Sequence, residues 1–198
     1  MNYLAHAYLS FGIPEILVGN MISDFVKGKQ ILDFPPAIQQ GIRLHRAIDQ
    51  FTDQHPATQE AKVFFRPAYR LYSAAFVDVV YDHFLAADRT LFSPESLQDF
   101  SQQTYASLDP FIHHFPDRFA RMFPYMKSQD WLYHYQFPEG IRNSFGGLVR
   151  RAAFLDDSET AYEVFQTHYD ALRKSYQEFM PDVDAFAKKT LAALASGI

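Results

Sequence analysis

A histidine and two aspartates recur at four-residue intervals in the segment from Gly41 to His55. Four residues make slightly more than one turn of an α-helix, so His45 and Asp49 are neighbours on one face and Asp53 lies slightly further round. Apolar residues occupy two sides of the same segment, which favours a largely buried helix with these polar groups pointing inward. Buried imidazole and carboxylate groups are costly unless they are paired or bind a cation. The spacing therefore fits either a His–Asp hydrogen bond or two ligands of a metal ion.

A second pair, Asp82 and His83, lies in one of the most apolar stretches of the chain, with Asp78 one turn earlier. Neighbouring residues on a helix point about 100° apart, so both members of the pair reach a common site only if that site lies between them. A charged pair in such surroundings is costly unless a bound ion or a hydrogen-bond network stabilises it. A metal ion and a hydrogen-bond network are the two interpretations of this pair.

Two further residues, His6 in an apolar N-terminal segment and Asp24 a few residues after Gly19-Asn20, add the same kinds of side chain. Each is weak by itself, because a single histidine on an apolar face is more often a core residue with satisfied hydrogen bonds. Imidazole and carboxylate ligands without sulfur suit Mn²⁺, Fe²⁺ or Zn²⁺, and they suit Mg²⁺ where carboxylates dominate. Together these segments supply the candidate ligands, which are His6, Asp24, His45, Asp49, Asp82 and His83.

The other histidines and the glycine-rich motifs are weaker signs of chemistry. The remaining histidines outside the first cluster are expected to be structural or surface residues, namely His113, His114, His134 and His168. Gly146-Gly147, followed by Arg150-Arg151, has residue types that can approach a phosphate, although a single glycine pair is a common feature. The sequence contains no P-loop, dinucleotide-binding fingerprint, nucleophile elbow or HExxH motif.

The elements that must position these groups are helices. Prolines and glycines divide the chain into pieces of helical length, and several prolines stand where a helix would begin, as in Ser93-Pro94-Glu95. Between residues 160 and 179 the apolar side chains recur at steps of three and four, which keeps them on one helix face. The apolar run Ala74–Val80 continues too far to be a strand. These patterns predict an all-α protein, a single-domain helical bundle over residues 1–198 with about ten helices.

Composition excludes several classes of protein. The chain has 198 residues, of which 48% are hydrophobic and 17% aromatic, and this excludes a disordered chain, a collagen and a coiled coil. It has no cysteine, which excludes disulfides, thiolate zinc sites, iron–sulfur clusters and cysteine nucleophiles. The formal net charge of −5 argues against general nucleic-acid binding. Because the N-terminal segment does not resemble a signal peptide and no apolar run is long enough to span a membrane, we expect a soluble, cytoplasmic protein.

Charge is unevenly distributed along the chain. Residues 27–70 contain seven basic and four acidic side chains, whereas residues 156–184 contain two basic and eight acidic ones. This distribution is equally consistent with an ordinary solvated surface and with a basic face that docks an acidic partner.

Several motifs of this chain resemble those of the acyl carrier protein phosphodiesterase family, also called acyl carrier protein hydrolase. The motifs are MNYLAHAYLS at the start, then GNMISDFVKG, FPP, GIRLHRAIDQFTD and VDVVYDHFL, with a weaker similarity in HYDAL. Members of that family are similar to the HD superfamily of metal-dependent phosphohydrolases, which are all-helical and bind metal through His and Asp on several helices. The resemblance implies Mn²⁺-dependent hydrolysis of the phosphodiester that joins 4′-phosphopantetheine to a serine of holo-acyl carrier protein.

The resemblance also implies a site built from the candidate ligands. The expected inner set comprises Asp24, His45, Asp82 and His83. His6 and Asp49 are expected to be further ligands or to orient the inner set. A bound divalent cation would offset the phosphate charge and activate water, and an aspartate would accept the proton of that water.

The resemblance gives the basic segment a role as well, because acyl carrier proteins are strongly acidic. The basic residues that flank the candidate ligands in sequence are Lys27, Lys29, Arg43 and Arg46. On the helix that carries His45, Arg43 and Arg46 point about 200° and about 100° away from it, so at most one of them borders the site. We expect Arg46 and Lys27 to contact the carrier.

Two other functions fit the same residues. The metal site would also suit a phosphohydrolase that acts on nucleotides or on another small phosphodiester. In a helical binding module without metal, the His and Asp groups would only satisfy one another. The 20 Phe and 12 Tyr residues either fill the core or line a channel for pantetheine, and a core role is the expectation.

Overall fold

The computed structural model describes residues 1–196. These residues form eleven α-helices and four short 3₁₀ segments, with no β-strand among them. The α-helices are α1 (Tyr3–Tyr8), α2 (Pro14–Ile22), α3 (Pro36–Gln54), α4 (Pro56–Tyr69), α5 (Ser73–Ala87), α6 (Pro94–Leu108), α7 (Asp117–Ser128), α8 (Trp131–His134), α9 (Pro138–Arg151), α10 (Glu159–Thr167) and α11 (Tyr169–Ala195). The 3₁₀ segments are Ser23–Phe25, Gly28–Asp33, Arg70–Tyr72 and Asp109–His114. The all-α prediction is confirmed. Over these same residues, no helix combines the length and the hydropathy that crossing a bilayer requires.

Prolines begin several of these helices, as the sequence predicts. α2, α3, α4, α6 and α9 each start with proline, where the missing N–H would have no helical partner in any case. Ser93 caps α6, since its Oγ accepts a hydrogen bond from the backbone N–H of Ser96 at 3.1 Å. Pro124 and Pro181, by contrast, lie inside α7 and α11. Both helices continue across the position at which proline removes one backbone donor.

The apolar stripe of residues 160–179 is divided between two helices. α10 ends at Thr167 and α11 begins at Tyr169, with His168 between them at φ −110° and ψ 20°. The imidazole ring of His168 stacks on the ring of Phe64 in α4, at a centroid distance of 4.3 Å. The break therefore coincides with a tertiary contact, which helical spacing alone does not reveal.

The core is a continuous apolar cluster in which α3 and α5 are the central helices. α3 packs against α2, α4 and α11, and α5 packs against α1, α4 and α9. Among the largest fully buried side chains, the aromatic ones are Tyr81, Tyr105, Phe65, Phe76, Phe119, Phe145 and Phe179. Many of the aromatic residues therefore serve the core.

Two glycines bring α2 and α3 into backbone contact. A Cβ atom on Gly19 would overlap a backbone carbonyl oxygen of α3, and one on Gly41 would overlap a backbone carbonyl oxygen of α2. Only glycine permits so close an approach of two helices. His45 lies one turn beyond Gly41 on α3, so this crossing brings its side chain against the backbone of α2.

Candidate metal centre

Three of the candidate ligands meet where α1 and α3 come together. His6, His45 and Asp49 each offer one ligand atom, and these atoms all lie within 4.8 Å of one another. Asp49 bridges the Nε2 atoms of the two imidazoles, with Oδ1 at 3.2 Å from His6 Nε2 and Oδ2 at 3.0 Å from His45 Nε2. The imidazole rings stack at a centroid distance of 3.8 Å. Both histidines are buried, whereas the Asp49 side chain is 39% exposed, so solvent reaches the group through Asp49.

Asp24 is a fourth candidate ligand in contact with this group. It lies in the 3₁₀ segment Ser23–Phe25 after α2, and its Oδ1 is 3.2 Å from His45 Nε2. Its side chain is 67% exposed, which places it on the solvent side of the buried imidazoles. The structure thus brings together His6, Asp24, His45 and Asp49 from three helical segments.

The backbone determines which nitrogen of His45 faces the carboxylates. Nδ1 lies 2.8 Å from the carbonyl oxygen of Asn20, and because that oxygen can only accept, Nδ1 must donate. Because Nε2 faces the carboxylates of Asp24 and Asp49, it must either carry a proton or bind a cation. Burial lowers the pKa of the imidazole, but the hydrogen bonds and charges of the two carboxylates outweigh burial and raise it to about 9. A histidine whose other nitrogen donates to a backbone carbonyl is the usual form of a metal ligand.

His6 is in the opposite protonation state. Burial, together with the neighbouring His45, lowers its pKa to about 4, so that the ring is neutral near pH 7. Its Nδ1 is buried and has no hydrogen-bond partner within residues 1–196. Neutral imidazole is the form that binds a metal ion. Two imidazoles and two carboxylates without sulfur are a donor set that fits a divalent transition metal.

The ammonium group of Met1 adds a charge that sequence reasoning missed. It is buried and lies 2.9 Å from Asp49 Oδ1 and 3.1 Å from Asp78 Oδ1. Burial disfavours the ammonium, but the charges of Asp78 and Asp49 raise its pKa to about 11. Burial likewise disfavours the Asp49 carboxylate, yet the ammonium and His6 hold the pKa of Asp49 far below its usual range. Asp49 is therefore ionised, and contacts on two sides hold it in place.

Asp82 has a different role from the one expected. Its Oδ2 accepts a hydrogen bond from the N–H of Leu4 at 2.8 Å, and its Oδ1 accepts one from the N–H of Ala5 at 3.1 Å. These N–H groups belong to the first turn of α1, where no helical acceptor is available. Both carboxylate oxygens are thus occupied by backbone donors. We therefore remove Asp82 from the inner ligand set and assign it to holding α1, the helix that carries His6.

His83 also lies outside the group. Its Nδ1 is 2.8 Å from the carbonyl oxygen of Tyr135, and its Nε2 is 3.1 Å from the hydroxyl of Tyr169. Both ring nitrogens are therefore engaged by residues that follow α8 and begin α11. Asp82 and His83 are adjacent on α5 and contact different helices, so they share no site. We remove His83 from the inner set as well.

Asp82→Ala is expected to destabilise the protein. Without the carboxylate, the N–H groups of Leu4 and Ala5 would be buried and unpaired at a cost of about 1–3 kcal/mol each, so the free energy of unfolding should fall by about 2–6 kcal/mol. Urea unfolding measures this change, and Asp82→Asn, which keeps one acceptor, should lose less. Wild-type unfolding combined with a selective loss of turnover would instead place Asp82 in the chemistry.

One of the basic residues proposed for docking, Arg46, lies close to this group. The Arg46 guanidinium donates a hydrogen bond to the carbonyl oxygen of Val26 at 2.8 Å, which places it beside the segment that carries Asp24. The other basic residues named from the sequence are exposed, namely Lys27, Lys29 and Arg43. Contact of these residues with an acyl carrier protein stays a prediction.

A cavity of about 430 Å³ adjoins the candidate metal centre. Met1, Asp24 and Asp78 contribute to its wall, and so do Arg118 from α7 and Arg151 from α9. Carboxylates and guanidinium groups around one cavity suit a phosphate that is bound together with a cation. Sequence reasoning did not identify Arg118, and it noted Arg151 only through the preceding glycine pair, because both residues lie far along the chain from His6 and His45.

Comparison with known proteins identifies the family. A family model described as "Acyl carrier protein phosphodiesterase" matches residues 1–183. A protein of that name from Salmonella paratyphi A is 35% identical over 190 residues, which are 96% of this chain and 98% of the relative. Proteins of the same name from Salmonella agona and Salmonella dublin are 34% identical over the same share of each chain. No solved structure gives a significant match. The resemblance seen in the motifs is confirmed, and the chain belongs to the acyl carrier protein phosphodiesterase family.

Proposed function

We propose that this protein hydrolyses the phosphodiester bond between 4′-phosphopantetheine and a serine of holo-acyl carrier protein. The products are the apo carrier and free 4′-phosphopantetheine, and the proposed location of the reaction is the cytoplasm. Family membership supports the choice of substrate. One observation supports the chemistry: two imidazoles and two carboxylates converge beside a cavity that also carries two arginines.

The donor set fits a divalent cation that His6, His45 and Asp49 would hold, with Asp24 as a further ligand. His6 is neutral, His45 is anchored through Nδ1, and Asp49 is ionised, so each is ready to bind a cation. Mixed nitrogen and oxygen ligands suit Mn²⁺, which is the proposed ion, and Mg²⁺, Fe²⁺ and Zn²⁺ are the other candidates. When bound, such a cation offsets the negative charge of the phosphate and activates water for attack.

The protein's own side chains then orient water, accept its proton and stabilise the departing oxygen. The hydrogen bond from His45 lowers the pKa of Asp24, so this carboxylate is ionised where it lines the cavity. An ionised carboxylate in this position can accept a hydrogen bond from water and then its proton. Arg118 and Arg151 can bind the phosphate oxygens and stabilise the charge that develops on the serine oxygen as it leaves.

Mass spectrometry of the carrier tests the proposed reaction. After incubation of the protein with Mn²⁺ and holo-acyl carrier protein, we expect the carrier to lose the mass of one phosphopantetheine group and an equal amount of free 4′-phosphopantetheine to appear. A parallel panel of nucleotides and small phosphodiesters tests the broader phosphohydrolase alternative. A carrier of unchanged mass would contradict the proposal, and rapid cleavage of a nucleotide under the same conditions would favour the alternative.

Arg46→Glu is expected to raise KM for holo-acyl carrier protein about tenfold, equivalent to about 1.4 kcal/mol, because the acidic carrier would meet a negative charge. Hydrolysis of a small phosphodiester should be nearly unchanged. Steady-state kinetics with both substrates, at low and high salt, measures the difference, and salt should reduce it. Arg43→Glu makes the same charge change on another side of α3 and should have a smaller effect. Equal losses on both substrates would exclude a docking role for Arg46.

A further inference from the structure

A second and larger cavity, of about 560 Å³, lies beside the first. It is formed between the start of α1 and the helices α8 and α9, which contribute Trp131 and Asn143 among others. Both cavities share Asn2, Tyr3 and Arg151 as lining residues. The larger cavity therefore begins where the cavity beside the metal centre ends, and Arg151 stands at the junction.

One face of α9 forms a wall of this larger cavity. Most of the α9 residues that line it recur at three- and four-residue steps and so share a helix face, namely Gly140, Asn143, Ser144, Gly147 and Arg151. Glu139 and Arg150 line it as well. Arg151, the last residue of the helix, lies at the end nearest the candidate metal centre. Of the motif Gly146-Gly147 with Arg150-Arg151, three residues line this cavity, namely Gly147, Arg150 and Arg151.

Gly147 keeps this face of α9 open. A Cβ atom there would lie 3.4 Å from Nη1 of Arg151, so a longer side chain would extend into the cavity and against the guanidinium. The adjacent Gly146 does not line the cavity, and a Cβ atom there would face the side chains of Arg150 and Ser158. The two glycines are consecutive in one helix and differ in whether they border the cavity.

The side chains in the walls suit a ligand that carries several polar groups. Amide and hydroxyl side chains such as Asn2, Asn143 and Ser144 line the cavity together with Trp131. The pantetheine arm is a flexible chain in which amide and hydroxyl groups alternate with apolar segments, so it needs this mixture of contacts. The cavity volume falls within the range of about 300–1,000 Å³ that small-molecule sites occupy.

We propose that the larger cavity binds the pantetheine arm of the substrate while Arg151 at its entrance binds the phosphate. This inference rests on the proposed function and adds the direction in which the substrate lies. The phosphate faces His6, His45 and Asp49, and the arm runs along α9 towards Trp131. The carrier then lies on the opposite side of the phosphate, which is the side of Asp24.

Binding of the product 4′-phosphopantetheine to the intact protein tests the proposal independently of turnover. Trp131 is the only tryptophan in the chain and lines the cavity, so its fluorescence reports occupancy, while calorimetry gives Kd. We expect saturable binding with a change in Trp131 emission. Gly147→Leu should weaken binding about tenfold or more. Gly146→Ala should leave Kd within about twofold of the wild type, because its methyl group would make only an ordinary contact with Arg150. Asn143→Phe blocks the same wall from an exposed position and provides a second variant if Gly147→Leu does not fold.

A comparison of two ligands, with and without the phosphate, tests the role of Arg151. Arg151→Gln should weaken binding of 4′-phosphopantetheine and leave binding of pantetheine, which lacks the phosphate, unchanged. Equal Kd values for wild type, Gly147→Leu and Asn143→Phe would overturn the cavity assignment. Absence of binding to a wild-type protein that does cleave holo-carrier would overturn it as well, and both results would leave the proposed function intact. Failure of the wild type to release phosphopantetheine from the carrier would instead remove the proposed function.

Discussion

His45→Ala is expected to abolish hydrolysis of holo-acyl carrier protein. The imidazole contacts both Asp24 and Asp49, and its Nε2 is a proposed ligand atom. Loss of partners outside a ligand set typically lowers metal affinity or activity by about 10–100-fold, so loss of a ligand should lower turnover by more than about 100-fold. Turnover of the carrier at saturating Mn²⁺ measures the effect, and circular dichroism checks that the fold is retained.

His45→Asn separates the chemical role of His45 from its structural role. The asparagine amide can still donate a hydrogen bond to the Asn20 carbonyl oxygen, as Nδ1 does, but nothing replaces Nε2. This variant should therefore be folded and as inactive as His45→Ala. His113→Ala, an exposed histidine in the 3₁₀ segment Asp109–His114, serves as the matched control and should keep full activity. A folded His45→Asn protein that hydrolyses the carrier at the wild-type rate would show that the site is assigned wrongly.

Removal of the metal ion is expected to have the second large effect. Treatment with EDTA should stop hydrolysis, and addition of Mn²⁺ should restore it. The ion should also stabilise the fold, because at a concentration about 100 times its Kd a ligand adds about 2.7 kcal/mol to the free energy of unfolding. For a chain of this length that corresponds to a rise in Tm of about 5–10 °C. Thermal unfolding with and without Mn²⁺ measures the shift.

The same measurement discriminates between the metalloenzyme and a metal-free binding module. In a module, the ion pairs among Asp24, His45 and Asp49 would be complete without a cation, so EDTA would change neither Tm nor any activity. Metal analysis of protein purified without chelator should find a stoichiometric ion only in the enzyme. His45→Ala is the control, because a Tm rise that survives this substitution would come from Mn²⁺ bound elsewhere.

Several features of the site follow from local spacing, and others do not. His45 and Asp49 lie one turn apart on a helix, and this spacing is sufficient to predict that their side chains meet. Asp82 and His83 had an equally suggestive sequence context, but their partners come from other helices. The first turn of α1 presents buried N–H groups to Asp82, while residues near α8 and α11 occupy His83.

The charged groups that sequence reasoning missed also depend on contacts between distant parts of the chain. The Met1 ammonium contacts Asp49 and Asp78, which lie far from it along the chain, and no pattern of short range links them. Arg118 on α7 and Arg151 on α9 line the cavity beside the metal centre together with Asn2 and Tyr3 at the start of the chain. The Gly146-Gly147 pair was visible in the sequence, but only the three-dimensional structure shows that Gly147 borders a cavity and that Gly146 does not.

Helical periodicity, composition and a few motifs were therefore enough to predict an all-α protein, its family and a mixed His/Asp site that could hold a divalent cation. Tertiary packing alone decided that His6 and Asp24 join His45 and Asp49, that Asp82 and His83 do not, and where the arginines lie. The physical reason is that spacing within a helix determines which of its own residues share a face. Contacts between helices depend instead on how they pack, as at Gly19 and Gly41, where the absence of side chains brings α2 and α3 together.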